Sequence, residues 1–151
     1  MNITPESPDQ PEVIALIAEL DAYQDTLYPP ESRHALDLES LKQENVLFFV
    51  ARDDQGGAVG CAAVVLHADC GELKRMYVSP ACRGQGVARG LLRALESASV
   101  AAGCGVLRLE SGPYQLEALG LYEACGFLRR GPYAGYADDP LSVFMEKALA
   151  A

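Results

Sequence analysis

Three glycines (Gly84, Gly86, Gly90) and two arginines (Arg83, Arg89) crowd into residues 79–92, SPACRGQGVARGLL, and Arg93 follows directly. A turn needs one or two glycines, and a helix start needs a cap. Neither needs this much positive charge, but an anion site does. The stretch leaves a strand-like segment and enters a leucine-rich helical pattern. The first N–H groups of such a helix have no internal partner and sit at the positive end of its dipole. Gly84 and Gly86 let a ligand approach the backbone without meeting a Cβ, and Ala88 extends that access. The result is a ready site for a pyrophosphate. Two nucleotide signatures are excluded by spacing. G-x-G-x-x-G would need glycine where Arg89 stands, and no G-K-[ST] follows as a P-loop requires.

The local charge contrasts with the whole. The 151-residue chain carries a net charge of −9. Yet residues 73–95 hold five basic side chains (Lys74, Arg75, Arg83, Arg89, Arg93) and no acidic one. An uneven solvated surface would look the same; so would a local site for a small polyanion on a protein that otherwise repels anions. The acidic balance argues against a nucleic-acid partner, which needs a basic face. No apolar run reaches the length of a membrane span, and residues 1–13 lack the basic and apolar regions of a secretory signal. Five cysteines, an odd count with no C-x-x-C pair, read as reduced thiols of a cytoplasmic protein. Two histidines far apart in sequence, His34 and His67, argue against a metal cluster.

The elements that must position the turn follow from periodicity. Residues 11–28 carry Val13, Ile14, Ile17, Leu20 and Leu27 with helical spacing. Pro29 and Pro30 break that helix, and residues 35–43 make a short second one. Residues 45–53 and 58–67 read as strands around the turn DDQGG, and 71–79 as a third strand ending at Pro80. A helix over 84–102 presents Val87, Leu91, Leu95 and Ala98, and Gly103 and Gly105 stop it. Then come a strand at 106–111, a helix at 115–125, a strand at 127–131, a loop and a last strand at 141–147. Strand, helix and strand over 71–111 form a βαβ unit with parallel strands. The expected fold is a mixed α/β sheet of six to seven strands with helices on both faces.

Arg83-x-x-Gly86-x-Ala88 resembles the R/Q-x-x-G-x-G/A signature of the GCN5-related N-acetyltransferase (GNAT) superfamily. The preceding LKRMYVSP is similar to that family's fourth strand, and ALGLYEACGF (118–127) to its A-x-x-L-Y-x-x-x-G-F segment. The resemblance covers roughly 45–148, in order and spacing. It implies one N-acetyltransferase domain over 1–151: N-terminal helices at 1–44 bordering the acceptor, a cofactor core at 45–111 and a C-terminal part at 112–151. It implies an acetyl-CoA cosubstrate, no metal, and transfer of the acetyl group to a primary amine of a small molecule or peptide by direct attack. A catalytically idle acetyl-CoA sensor or docking module is the alternative, and a homodimer is compatible with either.

The resemblance also assigns residues. Arg83, Gly84, Gln85, Gly86, Val87, Ala88 and Arg89 would cradle the pyrophosphate. Met76, Tyr77 and Val78 would offer backbone groups to the pantetheine arm, or be core alone. Gln115 stands where the family commonly has Asn. Tyr122 would protonate the departing thiolate, unless it is an ordinary half-buried aromatic. Glu72 would be the base. An even spacing of six from Val78 puts both on one face of a regular strand, which a bulge would undo. Glu110 is the runner-up base, or a partner for the substrate ammonium. His34 and the loop YAGYADDP would border the acceptor. An acidic surface suits a cationic acceptor, and suits solubility equally.

Overall fold

The structure, a computed structural model, describes residues 1–33, 35–133 and 135–149. Among them are strands β1 (Asn2–Pro5), β2 (Val46–Arg52), β3 (Ala58–Leu66), β4 (Cys70–Val78), β5 (Val106–Ser111), β6 (Leu128–Arg130) and β7 (Val143–Ala148). The helices are α1 (Pro11–Asp25), α2 (Leu38–Leu41), α3 (Val87–Ala101) and α4 (Leu116–Ala124). The strands form one sheet in the order β1-β2-β3-β4-β5-β7-β6. Only β4 and β5 pair in parallel, and α3 makes the crossover between them. This is the mixed sheet that the sequence leads one to expect.

The uncharged run AVGCAAVVL explains the layering. A strand without polar alternation is covered on both faces. Ala62 and Val64 of β3 meet Leu91, Leu92 and Leu95 of α3 and Leu119 of α4 on one side. Cys61 and Ala63 meet Val13, Leu16 and Leu20 of α1 and Leu41 of α2 on the other. Each such buried leucine contributes roughly 1.5–3 kcal/mol. The stripe of α1 is Val13, Leu16 and Leu20, one position round from the expected one, and Ile14 is exposed. The α3 stripe holds, with Ser99 buried where an apolar residue would sit and its hydroxyl donating to Leu95 O at 2.8 Å.

Three details depart from the expected elements. The polar, Pro-rich N-terminus contains β1, an edge strand antiparallel to β2. Its Ile3 rests on α3, and a Cβ at Gly90 would lie 2.5 Å from Ile3 Cδ1. Gly90, the third glycine of the turn, therefore serves packing. Second, α3 begins at Val87, not at residue 84; residues 83–86 stay a turn and Gly86 is its N-cap.

The third departure is in β4. Cys61 pairs with Tyr77 but Ala63 pairs with Lys74, so Arg75 and Met76 together oppose Ala62. That is a β-bulge, and Arg75 sits in it with φ 58°. Parity along the strand shifts by one. Leu73 and Val78, five apart, share the α3 face, while Glu72 points to the other. Glu72 and Val78 are thus on opposite faces, contrary to the regular-strand expectation.

Gly71 of β4 lies under α3. A Cβ there would stand 2.6 Å from Ser99 Oγ and 2.9 Å from Val64 Cγ2. Gly71→Ala should overpack this junction and destabilise the fold by about 1–3 kcal/mol. A lower denaturant midpoint with unchanged slope is the expected result; an unchanged midpoint would show that α3 can shift without cost.

Candidate active site

The parallel pairing of β4 and β5 covers only Cys70–Val106, Gly71–Leu107 and Glu72–Arg108. Beyond Glu72 the strands part, and the edge of β4 that faces β5 has no strand partner. Two cavities open there. The larger, about 580 Å³, runs between Met76, Tyr77 and Val78 of β4, the turn before α3, and Ala118, Leu121 and Tyr122 of α4. The smaller, about 80 Å³, lies deeper, with Tyr28, Arg33, Lys74, Arg75 and Glu110 in its wall. Leu20, Met76, Gln115 and Tyr122 line both. The two cavities meet at these residues.

The turn at the mouth of the larger cavity has backbone donors and open space that suit an anion. Gly84 and Gly86 have φ 78° and 81°, and a Cβ at either would meet no atom within 4 Å. Left-handed backbone favours glycine, and the open space beside it is space for a ligand. Among the described residues no backbone acceptor is found for the amides of 84–89. Gly86 offers no side-chain cap. These donors and the α3 dipole point the same way. Arg83 is fixed by its Nε, which donates to Val78 O at 3.2 Å, and by Tyr77, whose ring centroid is 5.8 Å from its guanidinium. Arg83, Gly84, Gly86, Val87, Ala88 and Arg89 line the cavity; Gln85 does not.

Tyr122 is 4% exposed and packs edge-on against Phe127. Its hydroxyl has no hydrogen-bond partner among the described residues. Burial pushes its acidity well below that of an ordinary phenol, so it stays protonated at neutral pH. Gln115 lines both cavities, and its Oε1 accepts from Gly112 N at 3.2 Å.

The carboxylates separate. Glu72 lines neither cavity. Its Oε2 accepts from Tyr136 OH at 2.7 Å and Tyr133 OH at 3.3 Å, and Lys74 Nζ lies at 3.5 Å. Its Oε1 is 3.6 Å from His67 Nε2. The bulge has turned it away from Val78 and into an anchor for the loop before β7. Glu110, at the end of β5 where the strands have parted, does line the inner cavity. Burial raises its pKa, and the nearby Lys74 ammonium works against that. His34 lies outside the described residues.

One feature left no trace in the sequence pattern. Tyr28 and Tyr114 stack with centroids 5.5 Å apart and planes 10° from parallel. Tyr114 N donates to Tyr28 OH at 3.1 Å. Tyr28 walls the inner cavity and Tyr114 the outer one. A Cβ added at Gly112 would overlap the Tyr28 phenol. The contact joins the end of α1 to the loop after β5, 86 residues away, and no local motif signals it.

A model of the acetyltransferase (GNAT) family matches residues 14–127. The chain belongs to the GNAT family. It is similar to an IAA acetyltransferase of Azospirillum brasilense, at 46% identity over 99% of this chain and 98% of that one. A Klebsiella pneumoniae crystal structure provisionally named an acyl-CoA N-acyltransferase superposes with TM-score 0.88 at 45% identity, covering 99% of this chain and 97% of that one. An aminoglycoside 6′-N-acetyltransferase complexed with coenzyme A has TM-score 0.74 at 18% identity, over 100% and 98% of the two chains, and shares the fold. This GNAT chain is an acyltransferase. Among its described residues no helix is long and apolar enough to cross a membrane.

The Glu110 environment has a sign that can be measured. The folded state holds this proton more tightly than the unfolded state does. Its stabilising share is complete below the ordinary glutamate range and is lost as pH rises through the raised value. Carboxyl NMR should find Glu110 titrating above the other glutamates. Glu110→Gln should gain in thermal midpoint relative to wild type at neutral pH but not in acid. Equal differences at both pH values would place the carboxyl in solvent.

Proposed function

We propose that this GNAT enzyme takes acetyl-CoA in the outer cavity and a small amine in the inner one, with Tyr122 and Glu110 serving the transfer. The observation that carries this reading is that Tyr122 lines both cavities where they meet. The outer cavity suits the donor on three counts. Its turn offers free amides and two glycines for a pyrophosphate. The unpaired edge of β4 at Met76, Tyr77 and Val78 offers backbone groups to an amide-bearing arm. The gap between β4 and β5 leads that arm inward to Tyr122. Gln115 and Arg89 would add contacts on the α4 side, while Gln85 would contribute its backbone alone.

Transfer from a thioester has three needs: a neutral amine, a donor for the oxyanion and a proton for the leaving sulfur. In direct attack the amine nitrogen bonds to the acetyl carbon and the C–S bond breaks. Tyr122 OH gives its proton to the departing thiolate, and Glu110 takes the proton the nitrogen sheds. A phenol of pKa about 10 or above is a weaker acid than a thiol of about 8.5, so its value here lies in placement. The same hydroxyl, with no hydrogen bond to a described residue, is available to the developing charge. A raised Glu110 pKa brings the carboxylate closer to a useful base. Three of the five cysteines are poor nucleophiles for an acyl-enzyme: burial pushes Cys61 up to about 12, and Cys70 and Cys104 also upward.

Tyr122→Phe keeps the ring and removes its acidic hydrogen. Acetyl-CoA affinity by calorimetry should be preserved, and kcat should drop on the order of 10²-fold. With a nitrophenyl acetate donor, whose leaving group needs no proton, the loss should shrink. Wild-type turnover of acetyl-CoA by this variant would assign the acid elsewhere.

Gly86→Val tests the cradle. The branched side chain would project into the open cavity and strain a left-handed position by about 1–2 kcal/mol. Circular dichroism should remain native while acetyl-CoA binding weakens at least tenfold. Undiminished binding in a folded variant would move the pyrophosphate away from this turn.

A further inference from the structure

The inner cavity has a charge pattern that narrows the acceptor. Arg33, Lys74 and Arg75 line it, against one carboxylate, Glu110. The three cations are held rather than loose: their side chains are 17%, 11% and 7% exposed. Asp21 grips both arginines, Arg75 Nη1 at 2.6 Å and Arg33 Nη2 at 3.1 Å, and Asp25 binds Arg33 as well. Arg75 Nε also donates to Leu36 O at 2.9 Å. Asp21 and Asp25 are themselves 39% and 65% exposed, so they hold the arginines from the solvent side. Lys74 contacts Tyr136 and Glu72, and Glu72 divides its charge among Lys74, two tyrosines and His67.

Arg75 adds a second, independent sign. It occupies the bulge with φ 58°. A left-handed arginine costs about 1–2 kcal/mol that a glycine would not, and such strain gathers at functional sites. The bulge also sets Met76 at the junction of the two cavities.

We propose that the acceptor is a small amine that also carries a carboxylate, such as an amino acid, and that Arg33, Lys74 and Arg75 receive the carboxylate while the amine faces Glu110 and Tyr122. This rests on the reading of the outer cavity as the donor site. The physical case rests on hydrogen bonding rather than on net charge, because Asp21, Asp25 and Glu72 already offset Arg33, Arg75 and Lys74. A carboxylate entering this cavity gains charge-assisted hydrogen bonds from donors already fixed in place, with little ordering cost. An amine without one forgoes those bonds. A volume of about 80 Å³ fits a small acceptor rather than a folded protein surface.

The test is a thiol-release assay with acetyl-CoA and paired acceptors: the common L-amino acids, β-alanine and 4-aminobutyrate, each against its own carboxamide. For every pair that turns over, kcat/KM should favour the free carboxylate by about tenfold or more. Arg33→Gln should raise KM for the carboxylates by about tenfold and leave KM for the carboxamides unchanged, a split that simple loosening of the fold would not produce. Equal rates within pairs, preference for the carboxamide, or no turnover of any carboxylate-bearing amine overturns the proposal. Calorimetry with acetyl-CoA alone keeps the two readings apart. Binding with the wrong acceptor preference defeats only the acceptor assignment; absent binding defeats the donor site.

Discussion

Between Cys70 and Val78 one strand must meet two demands that a regular strand cannot meet together. Its first three residues have to pair with β5 to close the sheet. Its last three have to leave β5 to open the outer cavity along them. The bulge at Arg75 and Met76 reconciles these demands by adding one residue against Ala62. Extra twist at a bulge bends the strand away from its neighbour. The outer cavity, the inner cavity and their junction at Tyr122 all lie in the gap so formed. The antiparallel ladder to β3 continues on both sides of the bulge, so the opening does not divide the sheet.

Charge is arranged on the same plan. The chain is acidic overall, but five of its twelve cations line the two cavities: Arg83 and Arg89 the outer one, Arg33, Lys74 and Arg75 the inner. Basic side chains gathered on an otherwise acidic protein draw an anion to one place and discourage it elsewhere. Arg33 and Arg75 are kept in position by ion pairs with Asp21 and Asp25. Unpaired amides at the start of α3 add to the field at the entrance without requiring any side chain to reorganise.

How much of this could be read from residues alone depended on range. The turn RGQGVARG and the α3 stripe were legible because each is a local pattern: a glycine that must go left-handed and a helical repeat. Strand β3 was legible as the apolar run after the turn DDQGG, but that both its faces are covered came only with the structure. Glu72 was misplaced because parity counting assumes a regular strand, and nothing in CGELKRMYV marks the bulge; an arginine, not a glycine, takes the positive φ. Edge strand β1 was missed because four residues give too little periodicity, and its evidence is Ile3 resting on a glycine 87 positions away. The inner cavity was invisible in principle. Arg33, Lys74, Glu110 and Leu141 come from four separate segments and meet only when the sheet is assembled.

The Tyr28–Gly112 contact bears on how this enzyme can drift over evolutionary time. A phenol fills the space that any side chain at 112 would need, so neither position can change alone without disturbing both cavities. Enlarging residue 112 requires a smaller ring at 28 first, and that step also dissolves the stack with Tyr114 that walls the outer cavity. On the proposed assignment, a lineage moving to a bulkier acceptor would have to cross an intermediate with a loosened donor site. The size of the acceptor would then be tied to the grip on the donor by the order in which mutations can occur as well as by packing.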